Sequence, residues 1–559
     1  MAALLSHAGW KKRIQCSKFH RERSGQPESI MHCGCWLAAP APGSDLRQDL
    51  HGHIVKTGET LMNTSTQTSN HAELHPFLKS RLGHVIGGRV VESASGKTFE
   101  TVNPATGKVL ACLAEGDATD VDRAVKAARA AFEGPWSKWK PYERQALLMR
   151  VHDLVAERFE EMALLETLDN GSPITRSRNL KNYILQSIAY YATQTVNVGG
   201  QTLPNSIPGS VMSMIIKAPV GVVGGILAWN SPILGQWYAV GGALATGCTL
   251  VLKPGEYASL SVLYLANLLQ EAGLPDGVVN VVTGFGQTAG AALAAHPDVN
   301  RIVFTGSVAT GRRVVEASVS NMKRVQVELG GKSPDIVFAD ADLDLAVPGA
   351  AMGVYNNSGQ ICTAGTRLFV QRSIQEEFVE RLVAFSKTLR VGNGLDPAVQ
   401  MGPVISQKQL DQVLNYMRGA VPQGAKLATG GERLGGDLAN GYFVQPTVFS
   451  NVTPEMTIAR EEIFGPVISV LPFDDENEVL GMANATDYGL GGAVWTRNLN
   501  TAMRMVNGIE AGSVWVNCYN VLDPAVGMNG HKLSGWGTKG GPGHVDGFLY
   551  QKSVYINVT

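Results

Sequence analysis

Cysteine is sparse in this chain and no apolar run is long. The 559 residues hold seven cysteines, at positions 16, 33, 35, 112, 248, 362 and 518. Their odd number and scattered spacing exclude a disulfide-stapled secreted domain and point to a reducing compartment. No stretch reaches the roughly 18 to 20 consecutive apolar residues of a membrane span before Gly, Pro or a charge breaks it, so no membrane-spanning role is expected. Neither sign of charge dominates: the formal net charge of −1 leaves no electrostatic footprint for nucleic acid. Paired ligands at zinc-finger spacing are missing too. Cys16, His20 and His32-Cys33-Gly34-Cys35 make no such set, and no metal site is expected. What is present is 44% hydrophobic content, enough for two or three sizeable cores in a soluble multidomain protein.

Residues 1–75 read as a leader outside the fold. Lys11, Lys12, Arg13, Lys18, Arg21 and Arg23 outnumber nearby acids, as an organelle presequence requires. The favoured alternative is that translation begins at Met62, because Gly58-Glu59 can be encoded by a purine-rich stretch at ribosome-binding distance. That reading implies a cytoplasmic protein, with mitochondrial import as the weaker alternative. Residues 63–75, polar and rich in Ser, Thr and Asn, then read as a disordered leader.

Further along, Thr119-Asp120 is expected to cap a helix with apolar residues at Val121, Ala124, Val125, Ala128 and Phe132. Residues 142–168 are expected to form one long helix stopped at Asn170-Gly171. Apolar runs 222–228, 249–252, 278–282 and 301–304 then alternate with helical stretches 259–271, 288–296 and 309–319. Short buried strands separated by helices define an α/β, Rossmann-like doubly wound sheet, which takes ligands at the carboxyl ends of its strands. A second α/β unit begins near Leu329, with strands expected at 335–338, 366–370, 467–471 and 512–517. Segments 199–217 and 549–558 alternate like strands. The expected division is a cofactor domain from 76–198 and 218–328, a catalytic domain over 329–530, and a small β arm from 199–217 and 531–559.

Three motifs carry the chemistry: Trp229-Asn230-Ser231-Pro232, Val327-Glu328-Leu329-Gly330-Gly331-Lys332-Ser333-Pro334, and Gly359-Gln360-Ile361-Cys362-Thr363-Ala364-Gly365. A lone Cys among small residues is by itself an inert core thiol. In this order, the three motifs resemble those of the hydrolytic NAD(P)-dependent aldehyde dehydrogenases, and the likeness runs from about His84 to the C-terminus. The resemblance implies Cys362 as the nucleophile, Asn230 with the Cys362 backbone N–H as oxyanion donors, and Glu328 as the base that lets water cleave a thioester. A carboxylate at 328 also argues against the branch that passes its thioester to coenzyme A.

Phe304-Thr305-Gly306-Ser307 ends a strand and enters a helix, so Gly306, Ser307 and free N–H groups suit a phosphate. By resemblance, Lys253 and Glu256 hold the adenosine ribose, favouring NAD while leaving NADP possible. Glu462 would hold the second ribose, and Phe464 would pack near the nicotinamide. Gly284-Phe285-Gly286-Gln287-Thr288-Ala289 matches the dinucleotide fingerprint, its glycines equally suited to tight packing. In the family, arms like 199–217 and 549–558 extend a neighbouring subunit's sheet, implying a homodimer or homotetramer.

The family commonly shows Pro-Phe-Gly-Gly-x-Lys-x-Ser-Gly near the C-terminus; here the stretch is Gly527-Met528-Asn529-Gly530-His531-Lys532-Leu533-Ser534-Gly535. That departure puts activity or substrate choice in question, and a retired enzyme that binds cofactor without turnover is the rival reading. A cofactor-independent esterase using the same thiol is a third. Ser231, Gly235, Trp237, Tyr238, Ile361, Leu522 and Met528 are the expected substrate-tunnel positions. None of them carries a counter-charge, so the expected small-molecule substrate is a medium or bulky hydrophobic aldehyde, aromatic or branched.

Overall fold

A computed structural model describes residues 75–79 and 81–558. The readings of residues 1–74, including Cys16, Cys33, Cys35 and Met62, lie outside the described residues.

Eight strands form the first sheet, in the spatial order Gly535–Trp536, Arg324–Glu328, Arg301–Thr305, Val222–Ile226, Thr249–Lys253, Val279–Val281, His84–Ile86, Arg89–Val91. The inner five run parallel and the outer ones pair antiparallel. Val222–Ile226 and Thr249–Lys253 are buried at every residue, as a sheet covered on both faces requires. Ala118–Glu133 and Val308–Ser318 contribute to the core on one face; Pro141–Glu157, Pro232–Thr246 and Leu260–Glu271 fill the other. From Val222–Ile226 the chain steps outward through two strands, then returns to the opposite side at Arg301–Thr305. The crevice of a doubly wound sheet opens at that reversal.

Seven strands form the second sheet: Lys426–Thr429, Thr447–Ser450, Val467–Phe473, Arg367–Gln371, Pro334–Val337, Gly491–Trp495 and Ser513–Val516. All neighbours are parallel except the first pair. The residues between Glu328 and Pro334 join the two sheets. A third, antiparallel sheet consists of Gln201–Leu203, Val211–Pro219 and Leu549–Asn557, with Met212, Ile216, Tyr555 and Ile556 exposed.

Several local expectations change. The first helix is capped by Asp117, whose carboxylate accepts from the Thr119 N–H, while Asp120 is buried and accepts from Ala94 N–H. The single helix expected over 142–168 is two, Pro141–Glu157 and Phe159–Asn170, because Arg158 leaves helical geometry at φ −97° and ψ 15°. The second does end at a left-handed Gly171, φ 83°. Residues 288–296 are a π-turn over Gly286–Gly290 followed by the short helix Ala291–Ala295. Arg324–Glu328 escapes a search for apolar runs because Arg, Gln and Glu alternate with its valines. The segment 531–559 is not one arm: His531–Lys532 and Thr538–Lys539 each pair in a small two-stranded sheet, Gly535–Trp536 edges the first sheet, Gly541–Asp546 is a helix, and Leu549–Asn557 alone joins the arm.

Candidate active site

Glu328 closes the strand beside Arg301–Thr305, one strand beyond the reversal. Thr305 is its parallel partner and Gly535 its antiparallel one, and its own carbonyl accepts from Gly306 N–H at 3.1 Å. The residue is 4% exposed and its Oε1 has no hydrogen-bond partner in the structure. Burial pushes the carboxyl up to about 7, against the opposing pull of Lys539 and Gln326. A carboxyl poised there exchanges protons at neutral pH.

Cys362 lies between the helix Leu343–Tyr355 and the strand Arg367–Gln371. The approach to it takes three left-handed residues in succession, Asn357 (φ 52°), Ser358 (φ 57°) and Gly359 (φ 75°). A Cβ on Gly359 would stand 2.0 Å from the Gly465 carbonyl oxygen, so only glycine fits. Asn357 Nδ2 donates to Asn230 O at 2.7 Å, and Asn230 Nδ2 donates to Gln360 O at 2.9 Å. The Asn230 loop and the thiol loop are therefore cross-bonded. On the other side, a Cβ on Gly331 would stand 2.4 Å from the Cys362 carbonyl oxygen, so a bare glycine lets the Glu328 connection touch the thiol loop. Burial pushes the half-buried Cys362 thiol up to about 11; Lys539 pulls it down, while Glu462 and Glu328 push it further up. At rest it is a neutral thiol.

Asn230 follows the strand Val222–Ile226, just before the helix Pro232–Thr246. Phe159–Asn170 anchors this turn: Asn170 Nδ2 donates to Trp229 O at 2.7 Å, and Glu166 Oε2 accepts from Ile233 N–H at 3.2 Å. Asp169 of the same helix accepts from Leu260 N–H at 2.8 Å, fixing the loop that carries Glu256. None of these anchors is apparent from sequence, where Asp169-Asn170-Gly171 reads as a helix end.

On the cofactor side, Lys253 is 2% exposed and its Nζ lies 3.1 Å from Glu256 Oε2. Ser307 caps the helix Val308–Ser318, its Oγ accepting from Thr310 N–H, and Gly306 packs where a Cβ would meet the Phe304 ring at 2.6 Å. Free N–H groups at a helix start, beside a strand end and a buried Lys–Glu pair, fit a dinucleotide. Gly284 has φ 146° and abuts Gly116, a Cβ there standing 2.9 Å from its carbonyl oxygen, so close packing already accounts for that glycine. Glu462 accepts from Gly331 N–H at 3.1 Å, and burial raises its carboxyl to about 7. Phe464, φ 56°, meets the Trp229 ring edge-on at 5.3 Å.

Helical spacing sorts the expected tunnel residues. Ser231, Gly235 and Tyr238 share one side of the Pro232–Thr246 helix, whereas Trp237 turns into the core at 1% exposure and is no wall residue. Tyr238 Oη lies 3.0 Å from Tyr183 Oη, and Ile361, Leu522 and Met528 are half-buried. Sequence reading missed Lys539. Its Nζ stands 4.9 Å from the centre of the Tyr238 ring and 3.4 Å from Thr305 Oγ1, so the surroundings do carry a positive charge.

A dinucleotide crevice that delivers an amide and a carboxyl to a thiol from a second sheet is the architecture of a thiol-dependent oxidoreductase working on a carbonyl carbon. Comparison with known proteins agrees. The sequence profile of the aldehyde dehydrogenase family matches residues 90–554. Mitochondrial aldehyde dehydrogenase from Homo sapiens is 46% identical over 84% of this chain and 90% of its own length. Mitochondrial benzaldehyde dehydrogenase from Antirrhinum majus is 44% identical over 84% of this chain and 88% of its own. Among solved structures, the NAD+ complex of aldehyde dehydrogenase from Bacillus cereus superposes with a TM-score of 0.85 at 45% identity, covering 87% of this chain and 99% of that one. The chain belongs to the aldehyde dehydrogenase family, the NAD(P)-dependent oxidoreductases that act on aldehydes. No helix of the described residues is long and apolar enough to cross a membrane.

Proposed function

We propose that the protein oxidises a hydrophobic aldehyde, aromatic or branched aliphatic, to the carboxylic acid with NAD, through a thiohemiacetal and a thioester on Cys362. The observation that carries this reading is Glu328, a carboxyl with an unpartnered oxygen, held near neutrality within electrostatic reach of the thiol. The Cys362 sulfur bonds the aldehyde carbon as its proton leaves toward Glu328. Asn230 has one amide hydrogen on Gln360 O and a second to give, so that hydrogen and the Cys362 N–H receive the oxyanion. Bound NAD supplies the two-electron oxidant. Glu328 then releases the thiol's proton to solvent, water cleaves the thioester as the restored carboxylate takes a proton from it, and the Gly330-Gly331 turn lets that side chain shift between the two tasks.

Glu256 accepts hydrogen bonds from a ribose diol and repels a 2′-phosphate, whereas Lys253 tempers that preference and leaves NADP possible. A Cβ on Gly235 would meet nothing within 4 Å, which supports a roomy wall, and the Antirrhinum relative's name supports an aromatic substrate. The exposed apolar residues of the arm support pairing into homodimers or homotetramers. A cytoplasmic location is proposed, with mitochondrial import as the alternative, and N-terminal sequencing of the native protein decides between them. The central test is a spectrophotometric aldehyde panel with NAD and NADP on the intact chain and on Cys362→Ala. Benzaldehyde should exceed acetaldehyde and the variant should be silent. Preference for acetaldehyde refutes the roomy wall, and NADH formation by the variant refutes the thiol.

A further inference from the structure

Lys539 occupies a built mount. Its two-residue strand, Thr538–Lys539, pairs with Met528–Asn529. Thr538 O accepts from Gln326 Nε2 at 2.9 Å, which ties the segment to the strand that ends in Glu328. His544 Nδ1 lies 2.6 Å from Thr538 O and its Nε2 lies 2.6 Å from Tyr238 O; a neutral ring donates to one of them and spans the segment and the Pro232–Thr246 helix. The ammonium is half-buried, rests over the Tyr238 ring and reaches the hydroxyl of Thr305, the strand partner of Glu328. It forms no ion pair among the described residues, although an ammonium on a surface ordinarily turns to a carboxylate or to water.

We propose that the Lys539 ammonium, fixed between the Thr305 hydroxyl and the Tyr238 ring, is the positive charge that steadies the Cys362 thiolate and the Glu328 carboxylate in turn. It is a positioning residue, acting through those two groups, and the inference rests on their assignment as nucleophile and base. The reaction needs an anion at each of them at a different step, and Glu328, 4% exposed, is too buried for water to screen. Lys539 is the cation that favours the charged form of both. The remaining charged and titratable groups oppose it or stay neutral. Glu462 and Tyr519 face Cys362, Tyr238 faces Glu328, and Lys332 lies behind Glu462. Burial keeps His544 down at about 4 and lifts Tyr238 and Tyr519 well above the usual phenol range. A cation here also bears on substrate choice, since the wall that Tyr238 forms is not free of charge.

The test is the rate of iodoacetamide alkylation of Cys362 against pH in cofactor-free protein, quantified on its peptide by mass spectrometry. Lys539→Gln should slow alkylation about tenfold at each pH below the thiol midpoint, an upward shift of about one unit, and Lys539→Arg should restore the rate. The rising limb of kcat/KM against pH should move the same way in Lys539→Gln. Lys539→Met serves as the neutral variant if circular dichroism shows that Lys539→Gln does not fold. An unchanged alkylation profile in a folded neutral variant, or an Arg variant no faster than the Gln one, overturns the proposal. If wild-type Cys362 reacts no faster than Cys112 or Cys518, or Cys362→Ala still forms NADH, the nucleophile assignment fails instead, and that result is separable from anything Lys539 does.

Discussion

Replacing Glu328 by Gln should remove activity and add stability at alkaline pH, and both effects come from one buried proton. Burial raises this carboxyl from 4.5 to about 7. The folded protein therefore holds the proton through a window in which the unfolded chain has released it. The stabilisation from this group is complete below about pH 4.5 and is lost as pH rises toward 7. A gap of about 2.5 units at 1.36 kcal/mol per unit gives about 3 kcal/mol. Gln has no proton to lose, so the stability of the variant relative to wild type should grow by about 3 kcal/mol across that window. Comparing the pH dependence cancels the fixed cost of placing an amide beside the unpartnered Oε1 position. Urea unfolding of both proteins at about pH 4.5 and about pH 8 measures it. In the same preparation kcat should fall about 10² to 10⁴-fold, and its rise through about pH 7 should vanish. A stability difference independent of pH, or a wild-type kcat flat across neutrality, would refute the reasoning.

Four further outcomes are expected. Asn230→Ala should lower kcat/KM by about 10² to 10³ while leaving cofactor affinity, read by fluorescence titration, nearly unchanged. Glu256→Gln should move the ratio of kcat/KM for NAD over NADP toward NADP by about tenfold, roughly 1.4 kcal/mol, because a carboxylate no longer faces the 2′-phosphate. Gly359→Ala should lose about 3 kcal/mol or more, or fail to accumulate as soluble protein, since its Cβ would stand 2.0 Å from Gly465 O at φ 75°. Gly235→Ala, with nothing within 4 Å, should instead leave the thermal midpoint unchanged or raise it slightly.

The parts of the fold legible in the sequence are those whose signal is local. Val222–Ile226, Thr249–Lys253 and Arg301–Thr305 are apolar runs closed by polar or glycine residues, and the candidates Asn230, Lys253 and Ser307 sit at those closures. Arg324–Glu328 is illegible because its polar residues find partners far along the chain: Gln326 with Thr538 and Arg301, Arg324 with Leu549. Trp237 is misplaced by listing neighbours along the chain instead of along the helix, where 231, 235 and 238 align and 237 turns inward. Lys539 lies 177 residues beyond Cys362 in a glycine-rich stretch without period, and only the pairing of that stretch with Arg324–Glu328 carries it to the site.

A raised carboxyl does not by itself mark the base, because burial lifts five of them, Glu166, Asp169, Glu328, Asp335 and Glu462, to about 7. Their bonding separates them. Glu166 and Asp169 accept from N–H groups in the first turns of two helices, where the backbone dipole favours negative charge, and so fix the loops bearing Asn230 and Glu256. Asp335 takes the Trp495 indole N–H at 2.7 Å, and Glu462 takes the Gly331 N–H. Each of these four is tied to a fixed donor on another element. Glu328 has only Gln326, two residues back on its own strand, and no tie across elements among the described residues. A group that must serve first a thiol and then a water has to be free to turn, and of the five this is the one the fold leaves untethered.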